Sequence, residues 1–503
     1  MTKPLREIKV TNSLSHKKEV LETLVPGKLT MYSCGPTVYN LIHIGNLRTA
    51  LVSDLFFRYF KKVGYDVTFV RNYTDVDDKI IKAASDQKVT MEELTKRFIG
   101  EVERDYEAAG MSDPTHKTTV TGHMPEIIAM IEKIIAHGQG YVVDGEVLFS
   151  IESFEGYGKL SHKNVEELLA GARVEVDPKK RNPLDFSLWK PAKPGEPSWE
   201  SPWGKGRPGW HIECSAMAEK WLGPKIDIHH GGTDLIFPHH ENEIAQAESA
   251  THQAPFARYW LHSAFLNFSQ VKMSKSLGNV VTARDALTRY GGELTRFMLL
   301  SAHYRSLLEF NDEMIEHSLT GLHRIYEAKL HAQTLLKKRG AGADLRAEAA
   351  WGQFAADCEK TSAEIDDNLA NDFNTAGALA AAFKLIREFN RTLSEPMASA
   401  TPSAVLGAEQ LIRVLEEDLG DVLGVGRSDA EQALRRIEEV RAARLTAVGV
   451  SRPTDDEIRA QIQARLDARN TKNFAEADRI RKDLEARGVV LKDSPQGTTW
   501  EFR

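Results

Sequence analysis

The sequence is short of cysteine, of long apolar runs and of any strong excess of positive charge, and each shortage excludes something. Three cysteines in 503 residues, Cys34, Cys214 and Cys358, are too few and too scattered for a disulfide framework, and none forms a CxxC pair. Such usage suits a reducing compartment. No apolar stretch approaches the roughly 18 residues that cross a bilayer. Met1 to Val10 carries Lys3, Arg6, Glu7 and Lys9 with no apolar segment behind it, so no secretory leader and no membrane association are expected, and the expected location is cytoplasmic. With a formal charge of −7, an RNA partner would have to be met by a local basic surface. What is there, 42% hydrophobic and 27% charged residues, is ordinary globular composition, enough at roughly 150 residues per domain for about three or four domains.

The first organised segment alternates apolar and polar residues over Leu29–Met31–Ser33 and empties into the turn-forming Cys34-Gly35-Pro36-Thr37, which reads as a strand followed by a loop. After His43-Ile44-Gly45-Asn46, the residues Leu47, Leu51, Leu55 and Tyr59 recur at helical spacing, and Gly64 stands where a helix would end. A second strand, Val67–Val70, follows. This is the βαβ grammar of a nucleotide-binding parallel sheet. From about Ser112 to Gly206 the character changes and ends in a stretch crowded with proline, glycine and tryptophan, which reads as an insertion; Ile226–Ile228 and Gly231-Gly232 then resume the α/β pattern. Beyond Asp312 the sequence is almost continuously helical. At the end, helices over Asp455–Asn470 and Asn473–Arg487 precede a hairpin of Val489–Lys492 and Thr498–Phe502.

Three groups of residues carry chemistry. His43, Gly45 and Asn46 stand at a helix start, where free N–H groups, a partial positive charge and a close backbone suit a phosphate; a histidine there can equally cap the helix. Lys272-Met273-Ser274-Lys275-Ser276 offers two lysines able to stabilise charge building on phosphate oxygens. In Pro238-His239-His240-Glu241-Asn242-Glu243, His239 and Glu243 lie four apart on one helix face, and Cys34 and Cys214 are the other soft donors; two thiolates, an imidazole and a carboxylate are a possible Zn²⁺ set. Spacing alone does not choose among His229, His230, His239 and His240.

His43–Asn46 and Lys272–Ser276, in this order on either side of an interrupted α/β pattern, resemble the HIGH and KMSKS signatures of class I aminoacyl-tRNA synthetases, with Asn46 in place of the second histidine. Cys34-Gly35-Pro36-Thr37-Val38-Tyr39, Gly209-Trp210-His211-Ile212-Glu213-Cys214-Ser215 and Gly232-Thr233-Asp234 running into Pro238–Glu243 resemble, in order, the blocks of the cysteinyl-tRNA synthetases. The resemblance covers essentially the whole chain, to Gly497-Thr498-Thr499-Trp500. It implies an ATP-dependent ligase with tRNA-Cys, L-cysteine and ATP as partners, one zinc held by Cys34, Cys214, His239 and Glu243, Mg²⁺ accompanying ATP, and a monomer. His230 stands where that family often has a small residue.

The implied architecture is a Rossmann-like parallel-sheet catalytic domain in two halves (1–111 and 207–265) around a connective insertion (112–206), then the region bearing the second signature (266–320), a helical bundle (321–430) and a small α+β anticodon-binding module (431–503). His43, Asn46, Lys272 and Lys275 are the expected catalytic residues, with Gly45 beside the nucleotide. Trp210 is expected to wall the amino-acid pocket, and Thr74 and Asp234 to meet the substrate ammonium or the nucleotide, although Thr74 could instead cap a helix. Arg469, Asp478, Asp493 and Trp500 are of types that read or stack on anticodon bases, although Trp500 could equally fill a small core. Two rivals share the signatures. One is a paralogue passing activated cysteine to an amino sugar, which the long C-terminal extension argues against. The other is a non-enzymatic sensor, which the intact Lys272–Ser276 argues against.

Overall fold

The computed structural model describes residues 5–502 apart from 165–166, 168–176, 269–281, 338–344, 395–400, 448, 451–452 and 495–496; the Lys272–Ser276 segment, with Lys272 and Lys275, therefore lies outside the described residues. The α/β segments form a five-stranded, wholly parallel sheet in the order Ala257–Ser263, Ile226–Gly232, Lys28–Ser33, Asp66–Tyr73, His116–Thr119. Alternate side chains of each strand enter opposite cores, as the pleat requires. Met31, Phe69 and Leu261 join one buried cluster; their neighbours Tyr32, Val70 and Trp260 join the other. The connection from the first strand to the second is the helix Ile44–Lys62, which buries Leu47, Leu51, Leu55, Phe56, Tyr59 and Phe60. It stops at the expected place, with Gly64 just beyond it at φ +98°, a conformation only glycine adopts freely.

Strand order reverses at Lys28–Ser33, since its sequence successors lie on one side and the late strands on the other. In such sheets the crevice at the carboxyl ends of the strands flanking the reversal is where ligands sit. Here that crevice opens between Ser33 and Gly232.

The boundaries expected for the insertion shift at both ends. His116–Thr119 completes the parallel sheet, so the sheet runs past residue 111, and Gly206–Pro208 pairs with Phe186–Pro191 in the insertion's own four-stranded antiparallel sheet. Neither segment announces itself: HKTT is short and polar, and a strand ending in proline is legible only once its partner is known. The helical part comprises Asp312–Lys337, Leu345–Ala370, Thr375–Leu393, Pro402–Arg413 and Ala430–Ala447. It shares its core with the sheet domain, and the buried Arg296 joins the two by pairing with Asp54 at 2.8 Å and donating to the Leu423 carbonyl at 2.8 Å. Cys358 is a fully buried thiol in this core, pushed up to about 12 by burial, and takes no part in the site.

The C-terminal module has a core of its own, made by Ile458, Ile462, Ile480, Leu484, Val489 and Leu491 between the helices Asp455–Asn470 and Phe474–Ala486 and the hairpin Val489–Ser494/Gly497–Phe502.

Candidate active site and metal-binding cluster

Four chain segments deliver donors to the switch-point crevice. Cys34 leaves the strand Lys28–Ser33 with its N–H donated to the His230 carbonyl at 3.3 Å. The next residue must be glycine, because a Cβ on Gly35 would stand 1.6 Å from the Asn72 carbonyl oxygen. Cys214 lies in the first turn of the helix Ile212–Leu222, where the free N–H groups favour a thiolate. His239 and Glu243 meet across one helical turn, Nε2 to Oε1 at 2.9 Å, as their spacing predicts.

These side chains converge. Cys34 Sγ lies 3.7 Å from Cys214 Sγ, 3.6 Å from His239 Nε2 and 3.6 Å from Glu243 Oε1. A tetrahedral ion with sulfur ligands at about 2.3 Å and nitrogen or oxygen ligands at about 2.0–2.2 Å separates neighbouring donors by about 3.4–3.8 Å, so three of these edges fit it directly. An overlapping set, Cys34, His229, His240 and Glu243, shares two donors. It fits less well: His240 Nε2 stands 4.0 Å from Glu243 Oε1, and His229 Nε2 already donates to the other oxygen, Oε2, at 2.8 Å.

Burial and neighbouring charge set the protonation states. Burial alone pushes Glu243 up, but His229 and His239 hold it down at about 2. Burial pulls His239 down, and Glu243 with Cys214 raises it to about 10. The S–H of Cys34 donates to Cys214 and brings that thiol to about 6 against burial, while burial and the same neighbour push Cys34 well up. The cluster thus holds negative charge and displaceable protons, as a metal site does.

A shell of histidines surrounds it. His239 Nδ1 meets His211 Nδ1 at 2.9 Å; His240 Nδ1 meets His262 Nε2 at 2.9 Å, and His262 Nδ1 meets Ser13 Oγ at 2.8 Å. The His229 ring stacks on Trp260, with centroids 4.4 Å apart and planes 16° apart. His230, between Ser53 and Ser263 at 2.8 Å each, points its ring away from the donors. His211 and His262 escape a reading by sequence because nothing in their spacing ties them to His239 and His240; the number of histidines in these blocks is the one signal.

The remaining expected residues lie around this cluster. The exposed Trp210 places its ring 4.6 Å from that of His239. Thr74 caps no helix; Asp77 does that. The buried Thr74 hydroxyl instead donates to Glu213 at 3.3 Å and accepts from Asn72 at 3.4 Å. Asp234 is exposed in the turn Thr233–Leu235, on the side of His43, whose pKa it raises against the larger lowering by burial. His43 does cap the helix: its Nδ1 accepts from Asn46 N at 3.2 Å, and the Asn46 side chain accepts from His43 N at 3.3 Å. With Nδ1 accepting, the neutral ring carries its proton on Nε2, and the Asn46 amide uses its oxygen, not its NH₂, in the cap, so the cap itself leaves both residues a donor for an anion.

In the C-terminal module, Arg469 and Asp478 are exposed. Asp493 is engaged within the module: Arg465 donates to both its oxygens at 2.9 and 2.8 Å and Thr498 donates at 2.7 Å, which holds the carboxyl well below its usual range. Trp500 packs on the small core with the Arg459 guanidinium 5.8 Å over its ring. The freely exposed ring is Phe474, 62% exposed, which sequence reading passed over because it opens a helix among charged residues.

A parallel sheet in this order, interrupted by an insertion and carrying a nucleotide-type helix start at its switch point, is the catalytic architecture of the class I aminoacyl-tRNA synthetases. Solved structures agree on the fold: it is similar to Mycobacterium tuberculosis methionyl-tRNA synthetase in complex with methionyl-adenylate (TM-score 0.55, 17% identity, 86% of this chain and 96% of that one) and to a putative arginyl-tRNA synthetase from Campylobacter jejuni (TM-score 0.54, 12% identity, 82% and 92%). Residues 20–320 match the family model for the class I (C) tRNA synthetase catalytic domain, 364–426 a DALR domain, and 452–500 the cysteinyl-tRNA ligase anticodon binding domain. The chain is 47% identical to the cysteine–tRNA ligase of Geobacter metallireducens over 99% of its length and 100% of the relative's, and 43% identical to that of Bdellovibrio bacteriovorus over 98% and 99%. The chain belongs to the cysteinyl-tRNA synthetase family.

Proposed function

We propose that this chain is a cysteine–tRNA ligase: it activates L-cysteine with ATP to cysteinyl-adenylate and transfers the cysteinyl group to the 3′ end of tRNA-Cys. The observation that carries the reading is the convergence of Cys34, Cys214, His239 and Glu243 at the switch point of a class I sheet. The soft, partly thiolate donor set suits Zn²⁺, and bound zinc supplies a ligand position that prefers the substrate thiolate to a serine hydroxyl. Shape alone separates near-isosteric amino acids by only about 10²-fold in other synthetases. The chain is proposed to act as a monomer. No helix among the described residues is long and apolar enough to cross a membrane, and a reducing cytoplasm would keep the thiols free.

In this reading the chain's own groups position and neutralise, and no protein nucleophile is needed. His211 and His229 orient the metal-binding His239 and Glu243. Trp210 walls the amino-acid pocket, and Thr74 and Asp234 meet the substrate ammonium or the nucleotide. The cysteine carboxylate attacks the α-phosphorus of ATP, a P–O bond forms, and pyrophosphate leaves. His43 Nε2–H, the Asn46 amide and the N-terminus of the helix Ile44–Lys62, with Gly45 allowing close approach, donate to the phosphates, while Lys272 and Lys275 meet the charge on the leaving group; Mg²⁺ accompanying ATP would add to that neutralisation. The terminal adenosine hydroxyl of tRNA-Cys then attacks the mixed anhydride and releases AMP. Arg469 and Asp478 face the anticodon, and Asp493 and Trp500 hold the module that presents them.

The test is aminoacylation of tRNA-Cys with cysteine and serine in parallel, alongside cysteine-dependent pyrophosphate exchange. Charging with cysteine and a large preference over serine are expected. Exchange without charging would overturn the tRNA assignment, and no exchange would overturn the enzyme.

A further inference from the structure

The segment 269–281, which carries Lys272 and Lys275, is flanked on both sides by chain bonded to one helix. On the trailing side, the Ala283 N–H donates to the Ile42 carbonyl at 2.8 Å, and Thr282 bridges His43 at the foot of the helix Ile44–Lys62. On the leading side, Arg48 of the same helix donates Nη1 to the carbonyls of Ala264 at 2.9 Å and Phe265 at 2.7 Å. Its Nη2 donates to the Ser306 carbonyl at 2.7 Å and reaches the His303 carbonyl at 3.5 Å. One turn further along, Ser53 meets His230 Nδ1 at 2.8 Å, and His230 Nε2 meets Ser263 at the end of the last strand, also at 2.8 Å.

Arg48 is an unusual way to make such a joint. It is 1% exposed, and its described partners are backbone carbonyls alone, with no carboxylate among them. Burial lowers it to about 10, so it stays charged at neutral pH. A buried cation without a counter-ion costs free energy that an apolar side chain would spare. What it gains is a planar fork fixing two carbonyls of one segment and two of another, a geometry lysine's single ammonium does not reproduce.

We infer that Arg48, seconded by the Ser53–His230–Ser263 bridge, is a positioning residue for adenylate formation: it fixes the helix that begins at His43 in register with the chain at Ala264–Phe265 and at His303 and Ser306. The inference rests on the function proposed above. The cysteine-binding side should be indifferent to it, because Cys34, Cys214, His239 and Glu243 share no hydrogen bond with Arg48.

The experiment is cysteine-dependent pyrophosphate exchange by Arg48→Lys and Ser263→Ala in the full chain, with zinc content and the KM values for cysteine and ATP measured separately. Arg48→Lys is expected to lower kcat by about 10- to 100-fold, the scale set by displacements near 1 Å, with the KM for cysteine within about twofold and zinc content unchanged. Ser263→Ala, which cuts only the second bridge and leaves every described contact of Arg48 in place, is expected to lower kcat in the same sense by a few-fold. Unchanged kcat in both variants would overturn the inference, as would a parallel loss of zinc, cysteine affinity and thermal stability, the pattern of a purely structural arginine. If Arg48→Lys does not fold, unchanged kcat in Ser263→Ala overturns it alone. A wild-type chain without exchange would instead overturn the proposed function.

Discussion

Glu243 is held at its two oxygens by different histidines: Oε1 lies 2.9 Å from Nε2 of His239, and Oε2 accepts from Nε2 of His229 at 2.8 Å. The first contact falls inside the donor cluster and the second outside it. With one oxygen committed to His229, the carboxylate is set to offer the cluster the other alone. Trp260, stacked on His229, fixes that ring in turn.

His229→Ala should therefore weaken zinc binding without removing a ligand. Loss of an outer partner typically costs 10- to 100-fold in metal affinity, and that range is expected in competition against a chelator. Affinity equal to wild type would show that Glu243 needs no partner on its outer oxygen.

Cys214→Ser replaces a soft donor that neighbouring Cys34 and the helix N-terminus keep readily ionised by a hydroxyl that stays protonated. Zinc content after dialysis should fall well below one equivalent per chain, whereas Cys358→Ser, far from the cluster, should retain the full equivalent. A full equivalent on Cys214→Ser would remove Cys214 from the site.

The buried histidines set a pH dependence of stability. Burial lowers His230 to about 3, and burial with neighbouring histidines drives His211, His240 and His262 well below the usual value. The unfolded chain takes up protons at these groups near pH 6.5 while the folded chain does not. Their stabilising contribution is thus fully present above about pH 6.5 and is lost as the pH falls from there toward 3. The metal-free chain should melt at a distinctly lower temperature at pH 5.5 than at pH 7.5, and His230→Asn, which removes one of these groups, should narrow the gap. An identical gap would mean that His230 titrates normally.

Much of this site is legible in the sequence, but unevenly. Where the informative residues are close in sequence, physics decides: His239 and Glu243 meet because they are four apart on a helix, and Gly64 ends the helix that His43 begins. Cys34 and Cys214 are 180 residues apart, and only family resemblance joins them before the sheet brings their sulfurs to 3.7 Å. The outer shell is less legible still. That His262 faces His240 and His229 faces Trp260 follows from strand register, in which Gly231 lies beside His262 and His229 beside Trp260; a shift by one residue would turn each side chain to the other face. The strand His116–Thr119 was hidden for a related reason, since four polar residues become a strand only where an edge waits for them.

The C-terminal module separates groups that hold it together from groups it presents. Asp493 is tied to Arg465 and Thr498, and Trp500 lies on the core, so substitutions there act partly through the module's own stability. Phe474 is different. Its ring is 62% exposed, next to the cap residue Asn473 and on the helix that carries the exposed Asp478, so truncation costs the fold little. A flat exposed ring among charged groups is a stacking platform for an unpaired base, worth about 1–3 kcal/mol. Phe474→Ala should therefore raise the KM for tRNA-Cys by about 5- to 150-fold, with cysteine-dependent pyrophosphate exchange and the melting temperature unchanged. Asp493→Asn should raise the same KM but also lower the melting temperature. An unchanged KM in Phe474→Ala would show that the ring meets no base, and a fall in exchange would show that this module acts on the catalytic domain rather than on the tRNA alone.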